Sequence, residues 1–187
     1  YEYAYDSQGN LKEKRSNGKL LVSYTYDSTG NITEIKDPAG ISTRYEYDLL
    51  GRMSCIHSGQ GMKVQYGYDS LDRIEHIHYG NGVQTNYAYD CDGNISHLET
   101  RTESAVLLSF DYQYDGNGNR TAKTGIQGLT AGSSALDIRY QYDVRGQLLE
   151  ECRNGAAVRY AYDAAGNRIR KTEGEKETRY RYNQKNQ

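Results

Sequence analysis

The chain is 187 residues long, with 26% charged residues and a formal net charge of −2; this near-neutral balance lacks the strongly basic face of a general nucleic-acid binder. Leu, Ile, Val and Phe make up only about a sixth of it, below the share usual in packed domains, yet the low net charge and 20 tyrosines are the reverse of a disordered composition. No apolar run suits a membrane span or a signal peptide, and three cysteines (Cys55, Cys91, Cys152) without CxxC spacing imply no disulfide framework.

Taken in order, the chain opens on Tyr3-Ala4-Tyr5-Asp6 and returns to that pattern at Tyr24, Tyr45, Tyr66, Tyr87, Tyr112, Tyr140, Tyr160 and Tyr180, in steps of 21, 21, 21, 21, 25, 28, 20 and 20 residues. Self-similarity at such a period marks a repeat architecture. Eighteen of the 20 tyrosines lie in these copies, so the aromatic mass is periodic. Within one period, Asn31 to Lys36 is predicted as a strand, Asp37-Pro38-Ala39-Gly40 as a type I turn, and Ile41 to Tyr47 as a second strand closed by an Asp-x-x-Gly turn. At the far turn, Asn17-Gly18, Asn81-Gly82 and Asn154-Gly155 predict type I′ hairpins, while Ser58 to Gly61 and Glu173 to Glu175 serve the same position. Thr100 to Ala105 extends one hairpin, and Gly125 to Ala135 reads as a flexible insertion. No helical periodicity and no domain linker interrupt the pattern. Residues 1–187 therefore read as one repeat array of nine motif copies, the last cut short at Tyr180-Arg181-Tyr182-Asn183, and as a piece of a longer protein.

The motif has a physical reading. Tyrosines at i and i+2 of a strand share one face, Asp opens a turn by accepting backbone N–H groups, and Gly supplies positive φ for a loop ending in a bulge. This geometry predicts that Asp48 faces Arg52, Tyr47 faces Met53 and Tyr45 faces Cys55. Equivalent inner pairs are Tyr5–Leu11, Tyr26–Ile32, Tyr68–Ile74, Tyr89–Ile95 and Tyr142–Leu148, each contributing roughly 0.2–1 kcal/mol. Asp72 replaces the turn Gly and tolerates the left-handed region; Arg120 and Arg168 replace the aliphatic partner and are expected to stack on tyrosine. The structural motif residues are Tyr24, Tyr26, Asp27 and Gly30; Tyr45, Tyr47, Asp48 and Gly51; Tyr66, Tyr68 and Asp69; and Tyr87, Tyr89, Asp90 and Gly93. Two strands per period predict about 17 strands, a ribbon of roughly 80 Å. Twisted sheets rarely exceed ~10 strands without curling, so a curled or spiral all-β sheet is expected.

Tyr24-Thr25-Tyr26-Asp27-Ser28-Thr29-Gly30-Asn31 and Tyr45-Glu46-Tyr47-Asp48-Leu49-Leu50-Gly51-Arg52, recurring along essentially the whole chain, resemble the YD (RHS) repeat. Such repeats occur in bacterial Rhs proteins, B/C subunits of insecticidal toxin complexes, wall-associated proteins and animal teneurins. The resemblance implies antiparallel β-hairpins coiled into a hollow shell that, in the bacterial toxins, holds a C-terminal toxin often released by self-cleavage. It further implies a secreted or cell-envelope protein whose partners are the rest of its own polypeptide and a toxin cargo. Asp37-Pro38-Ala39-Gly40 is similar to the Asp-Pro-containing segment near the Rhs cleavage site, but it occupies an ordinary hairpin turn.

Candidate chemistry is weak beside this. Cys55, His57, His76, His78 and His97 invite a metal reading, but equivalent residues one period apart should stand about 9.6 Å from each other, whereas ligands must lie about 2.0–2.3 Å from one ion. These histidines are expected beside the ladder tyrosines. The aspartates Asp6, Asp27, Asp48, Asp69, Asp90, Asp115, Asp143 and Asp163 recur in every full copy, unlike a single asymmetric acid–base pair. Cys91 sits between two aspartates that disfavour its thiolate. Arg168 to Lys185 reads as a solvated sheet face. The expectation is a non-enzymatic shell segment, without cofactor or metal, that encloses or presents another polypeptide. The alternative is a cell-surface module binding glycans or a protein. Exposed sheet edges predict self-association of the isolated chain.

Overall fold

The computed structural model describes residues 1–59, 61, 63–128 and 134–183. Among these it holds only strands and turns, and no helix long and apolar enough to cross a membrane. Contacts divide the chain into two compact units, Tyr1–Thr85 and Asn86–Gln187. The first contains β1 (Glu2–Tyr5), β2 (Leu11–Ser16), β3 (Lys19–Tyr26), β4 (Ile32–Lys36), β5 (Ser42–Tyr47), β6 (Met53–Ser58), β7 (Lys63–Tyr68) and β8 (Ile74–Tyr79). β9 (Gln84–Tyr89) carries the chain across the division. The second unit contains β10 (Ile95–Arg101), β11 (Val106–Tyr114), β12 (Arg120–Gln127), β13 (Ser134–Tyr142), β14 (Leu148–Arg153), β15 (Ala156–Tyr162), β16 (Arg168–Glu173) and β17 (Lys176–Arg179). Seventeen strands agree with two per repeat. Within each unit every strand pairs antiparallel with its neighbour in sequence, β1 with β2 through β7 with β8, and β10 with β11 through β16 with β17. The chain is an all-β repeat array of antiparallel hairpins.

The Asp-x-x-Gly turns follow the expected geometry. In each, the Gly or Asp at the fourth position donates its N–H to the carbonyl of the opening Asp, as in Gly30 to Asp27 at 3.2 Å and Asp72 to Asp69 at 3.2 Å. That fourth residue has positive φ, 90° at Gly30 and 63° at Asp72. Asp37-Pro38-Ala39-Gly40 closes the same way, Gly40 N to Asp37 O at 3.1 Å. Asn17-Gly18 and Asn154-Gly155 have positive φ at both residues, as type I′ requires. Asn81-Gly82 does not: only Gly82 is positive, Gly82 N bonds Tyr79 O at 2.9 Å, and Asn81 Oδ1 accepts Val83 N–H at 3.1 Å. Four residues, Gly80 to Val83, lie between the strands there instead of two, so this turn copies the Asp-x-x-Gly form with Tyr79 in the aspartate's place.

In β2, β4, β6, β8, β12, β14 and β16, the strands that follow the motif turns, a bulge at the second residue shifts the register. Tyr47 faces Met53 as expected, but Glu46 faces Cys55 and Tyr45 faces Ile56. Ser54 is the extra residue that the sequence pairing of Tyr45 with Cys55 left out. The same shift pairs Tyr24 with Ile35 and Tyr66 with Ile77, so one face carries Tyr and Ile while the other carries polar residues. The histidines therefore lie on the other face from the tyrosines, not beside them: His76 faces Gly67 and His78 faces Gln65.

In the second unit, the extended hairpin between β10 and β11 is closed by Thr102 N to Ala105 O at 2.8 Å. Of the insertion expected at Gly125 to Ala135, Gly125, Ile126 and Gln127 belong to β12 and Ser134 and Ala135 to β13; residues 129–133 lie outside the described residues, as does Lys185 of the basic stretch. Arg120 and Arg168 stack as expected. Arg120 lies over Tyr112 and Tyr140 at 5.5 and 5.3 Å, and Arg168 lies over Tyr160 and Tyr180 at 5.6 and 4.9 Å. The enclosed interior is thin. Cys55 and Thr85 are buried in the first unit, and Phe110, Ala122 and Ile138 in the second.

Candidate functional site

The recurring Tyr-Asp-x-x-Gly unit is where the hairpins are joined. Its aspartate is a capping group. Asp27 Oδ1 accepts the N–H groups of Thr29 and Asn31, each at 2.9 Å, and the Thr29 hydroxyl at 2.7 Å; its Oδ2 accepts the Asn31 amide at 3.1 Å. The pattern repeats at Asp6, Asp48, Asp69, Asp90, Asp115, Asp143 and Asp163, where Oδ1 takes the N–H groups two and four residues on. The side chain four residues on supplies Oδ2: an Asn amide at Asn10, Asn94, Asn119 and Asn167, and a guanidinium at Arg52 and Arg73, each Nε at 2.7 Å. This explains why Asn or Arg follows the turn glycine. Arg52 also pairs with Asp72 of the next turn.

These donors favour the carboxylate form. The Thr29 hydroxyl, with the Asn31 groups, outweighs burial and lowers Asp27 to about 2. The Asn94, Asn119 and Asn167 amides depress Asp90, Asp115 and Asp163 below the usual carboxylate range. At Asp48 and Asp69 burial pushes upward, but the bonds from Arg52 and Arg73 prevail and the net direction is down.

The second tyrosine of the motif has a role that side-chain pairing does not show. Tyr47 Oη donates to the Ile32 carbonyl at 2.9 Å, Tyr26 to Leu11 at 2.8 Å and Tyr68 to Met53 at 2.7 Å. In the second unit Tyr114 bonds Ile95, Tyr142 bonds Arg120, Tyr162 bonds Leu148 and Tyr182 bonds Arg168, at 2.9–3.1 Å. Every acceptor is the first strand residue after the preceding turn. The ladders explain why. β4 and β5 are paired only as far as Glu34 opposite Arg44, and β6 and β7 only as far as Cys55 opposite Gln65, so the carbonyl two residues further out lacks a ladder donor. The tyrosine hydroxyl fills that gap and ties each hairpin to the one before it. Burial pushes the phenols of Tyr26, Tyr47, Tyr68, Tyr142 and Tyr162 upward, so they remain neutral donors.

The sequence reading placed the two tyrosines of each copy on one face; the Tyr24 and Tyr26 rings lie 6.5 Å apart. It missed the hydroxyl bond, although a signal was present: packing alone would accept Phe, yet the chain has 20 Tyr and a single Phe, and that Phe lies outside the motif. Tyr87, Tyr89, Asp90 and Gly93 occupy the equivalent strand and turn, with Gly93 N bonding Asp90 O at 3.2 Å. The three cysteines are free thiols, Cys55 buried and Cys91 exposed. His97 Nδ1 lies 2.7 Å from the Asp111 carboxylate, and His76 packs edge-to-face on His78 at 5.1 Å. Among the described residues, one set of metal-ligand type converges, Glu46, Cys55 and His57.

Comparison with known proteins agrees with this architecture. Residues 1–112 match the family model described as teneurin YD-shell, and residues 142–178 match the RHS repeat. No curated protein sequence matches the chain. Among solved structures, the crystal structure of TcdB2-TccC3-Cdc42 is similar with a TM-score of 0.77 at 17% identity, covering 95% of this chain and 11% of that one. The Photorhabdus luminescens Tc holotoxin pore with mutated TccC3 gives 0.71 at 19% identity, covering 92% and 10%. TcdB2-TccC3 without its hypervariable C-terminal region gives 0.75 at 17% identity, covering 97% and 11%. The chain thus spans about a tenth of the length of the structures it resembles.

Proposed function

The chain belongs to the teneurin YD-shell family, and from that premise we propose that this shell-forming repeat segment helps to enclose or present another polypeptide, such as a toxin cargo joined to the same protein. The observation that carries this reading is the hydroxyl bond from the second motif tyrosine to the preceding hairpin, made by Tyr26, Tyr47, Tyr68, Tyr114, Tyr142, Tyr162 and Tyr182, because it makes one repeat the docking surface for the next. Such an array gains stability from nearest-neighbour interfaces, which suits a wall of indefinite length better than a solitary pocket. The likeness to Tc toxin structures supports a secreted or cell-envelope location and a non-enzymatic role for the segment. Tyr1, Tyr3 and Tyr5 are 81, 51 and 61% exposed, and this uncovered aromatic strand supports self-association of the isolated chain through a sheet edge. Light scattering that finds monomer at every concentration removes that part of the proposal.

Protease access tests the enclosure. The longer protein is digested in native buffer and again after its repeats are unfolded in urea, and the fragments are identified by mass. An enclosed cargo survives the first digestion and not the second. A cargo cut at the same rate in both sinks the reading.

A further inference from the structure

Three ligand-type side chains meet on the polar face of the β5–β6 hairpin. Glu46 and Cys55 are directly opposed in the ladder, and His57 is two residues beyond Cys55, so all three project from one side. His57 Nε2 lies 3.2 Å from Cys55 Sγ and 3.0 Å from Glu46 Oε1, and all three donor atoms lie within 4.8 Å of one another. A single imidazole nitrogen offers one hydrogen or one lone pair, so it serves one of these neighbours and not both. The arrangement also departs from a nucleophile–base–carboxylate relay, in which the base turns one ring nitrogen to each partner. A cation between the three atoms satisfies all of them at once.

We propose that Glu46, Cys55 and His57 bind a zinc-type divalent ion, with a solvent molecule as fourth ligand. Tetrahedral zinc with bonds of about 2.0–2.3 Å separates neighbouring donors by roughly 3.3–3.6 Å, a few tenths of an ångström wider than the 3.2 and 3.0 Å from His57 Nε2 to Cys55 Sγ and Glu46 Oε1, and the third pair lies within 4.8 Å, so small rotations of the Glu46 and His57 side chains would bring the three donors to that spacing. Thiolate and imidazole select zinc over magnesium or calcium. Cys55 forms the closed end at 3% exposure, whereas the His57 and Glu46 side chains are 39 and 62% exposed and leave an entry path. The repeat does not reproduce the site: one period on, His76 stands at the Cys55 position and Gly67 at the Glu46 position. The separation expected between equivalent residues never applied to it, because its ligands come from one hairpin. Bound metal would pin β5 to β6 where the enclosed interior is thin.

The test is Co²⁺ titration of the full chain carrying Cys91→Ser and Cys152→Ser, which leaves Cys55 as the sole thiol. One equivalent of Co²⁺ should produce thiolate-to-cobalt charge transfer in the near ultraviolet and tetrahedral d–d bands, both erased by Zn²⁺. Cys55→Ser should abolish the charge transfer. His57→Gln and Glu46→Gln should each weaken uptake by at least ~10-fold, since partners one step beyond the ligands already cost about 10–100-fold. Glu46 is exposed, so Glu46→Gln keeps the fold and the measurement stands even where Cys55→Ser unfolds. A protein with an intact β-sheet circular dichroism spectrum and no charge-transfer band, or uptake unchanged by both His57→Gln and Glu46→Gln, overturns the proposal.

Discussion

Tyr47→Phe is the sharpest test of how the repeats are held together. The substitution keeps the ring against Met53 and removes only the donor to the Ile32 carbonyl at 2.9 Å. A typical intramolecular hydrogen bond contributes about 0.5–1.5 kcal/mol net, and an acceptor left dry costs about 1–3 kcal/mol. Ile32 is only half-buried, so water reaches part of its carbonyl, and the lower range applies. With a urea m-value of about 2 kcal/mol per molar, the midpoint should fall by roughly 0.3–0.8 M. Tyr26→Phe and Tyr68→Phe remove equivalent bonds at 2.8 and 2.7 Å, and the triple variant should lose about 1.5–4.5 kcal/mol if the sites add. Because the bond is an interface term between neighbouring repeats, cooperativity should also weaken, seen as a lower m-value in the triple variant. Tyr45→Phe is the control: its hydroxyl has no hydrogen-bond partner among the described residues, so its effect should stay within about 0.5 kcal/mol. Equal shifts for Tyr45→Phe and Tyr47→Phe would refute the reasoning, as the ring rather than the hydroxyl would then carry the effect.

Acid should loosen the turns. The lowered carboxyl of Asp27, at about 2 against its ordinary 3.8, contributes stability that is complete above the ordinary value and lost as pH falls toward the folded one. Asp27→Asn should therefore lower the urea midpoint at neutral pH and flatten its fall in acid, measured by circular dichroism. Alkali should act through the tyrosines: phenols raised above 10.0 by burial at Tyr26, Tyr47 and Tyr68 hold their protons more tightly when folded, so stability is full below that value and declines as pH rises beyond it. The triple Phe variant should show a shallower alkaline decline. Gly125→Ala should destabilise by roughly 2–6 kcal/mol, because Gly125 has φ +151° and an added Cβ would overlap the Ser109 carbonyl oxygen; a midpoint within error of the parent would contradict this. Arg120→Ile should stay within about 0.5 kcal/mol because earlier copies use aliphatic residues there, whereas Arg120→Ala should lose about 1 kcal/mol of stacking.

Much of the fold was legible because period and turn chemistry are local. Asp-x-x-Gly and the Asn-Gly pairs at residues 17 and 154 each specify a backbone conformation from a few adjacent residues, and the turns at Asp27 and Asn154 obey them. Asn81-Gly82 failed because loop length, set by where β8 and β9 begin and end, overrode the dipeptide preference. The Tyr45–Cys55 pairing failed for a related reason. A bulge adds one residue to one strand, and no side chain in Met53-Ser54-Cys55 announces which residue it is. Everything beyond that point then moves one step, which sent Cys55 to the polar face and brought Glu46 opposite it. The convergence of Glu46, Cys55 and His57 was invisible for as long as the register was off by one.

The tyrosine hydroxyl and the bulge are two parts of one solution. A bulge next to the turn lets the strands twist and diverge, but divergence leaves carbonyls such as Ile32 and Met53 beyond the reach of the neighbouring ladder. Buried backbone acceptors without partners are costly, and a sheet with so few enclosed side chains has little apolar stabilisation to offset them. A donor on a rigid stalk, projecting from the following hairpin, resolves the conflict and links the two repeats as it does so. Phe would supply the packing and lose the link, and Ser would supply a hydroxyl too short to span the gap. Tyr is the residue that does both, which is why the aromatic content of this chain is almost wholly tyrosine.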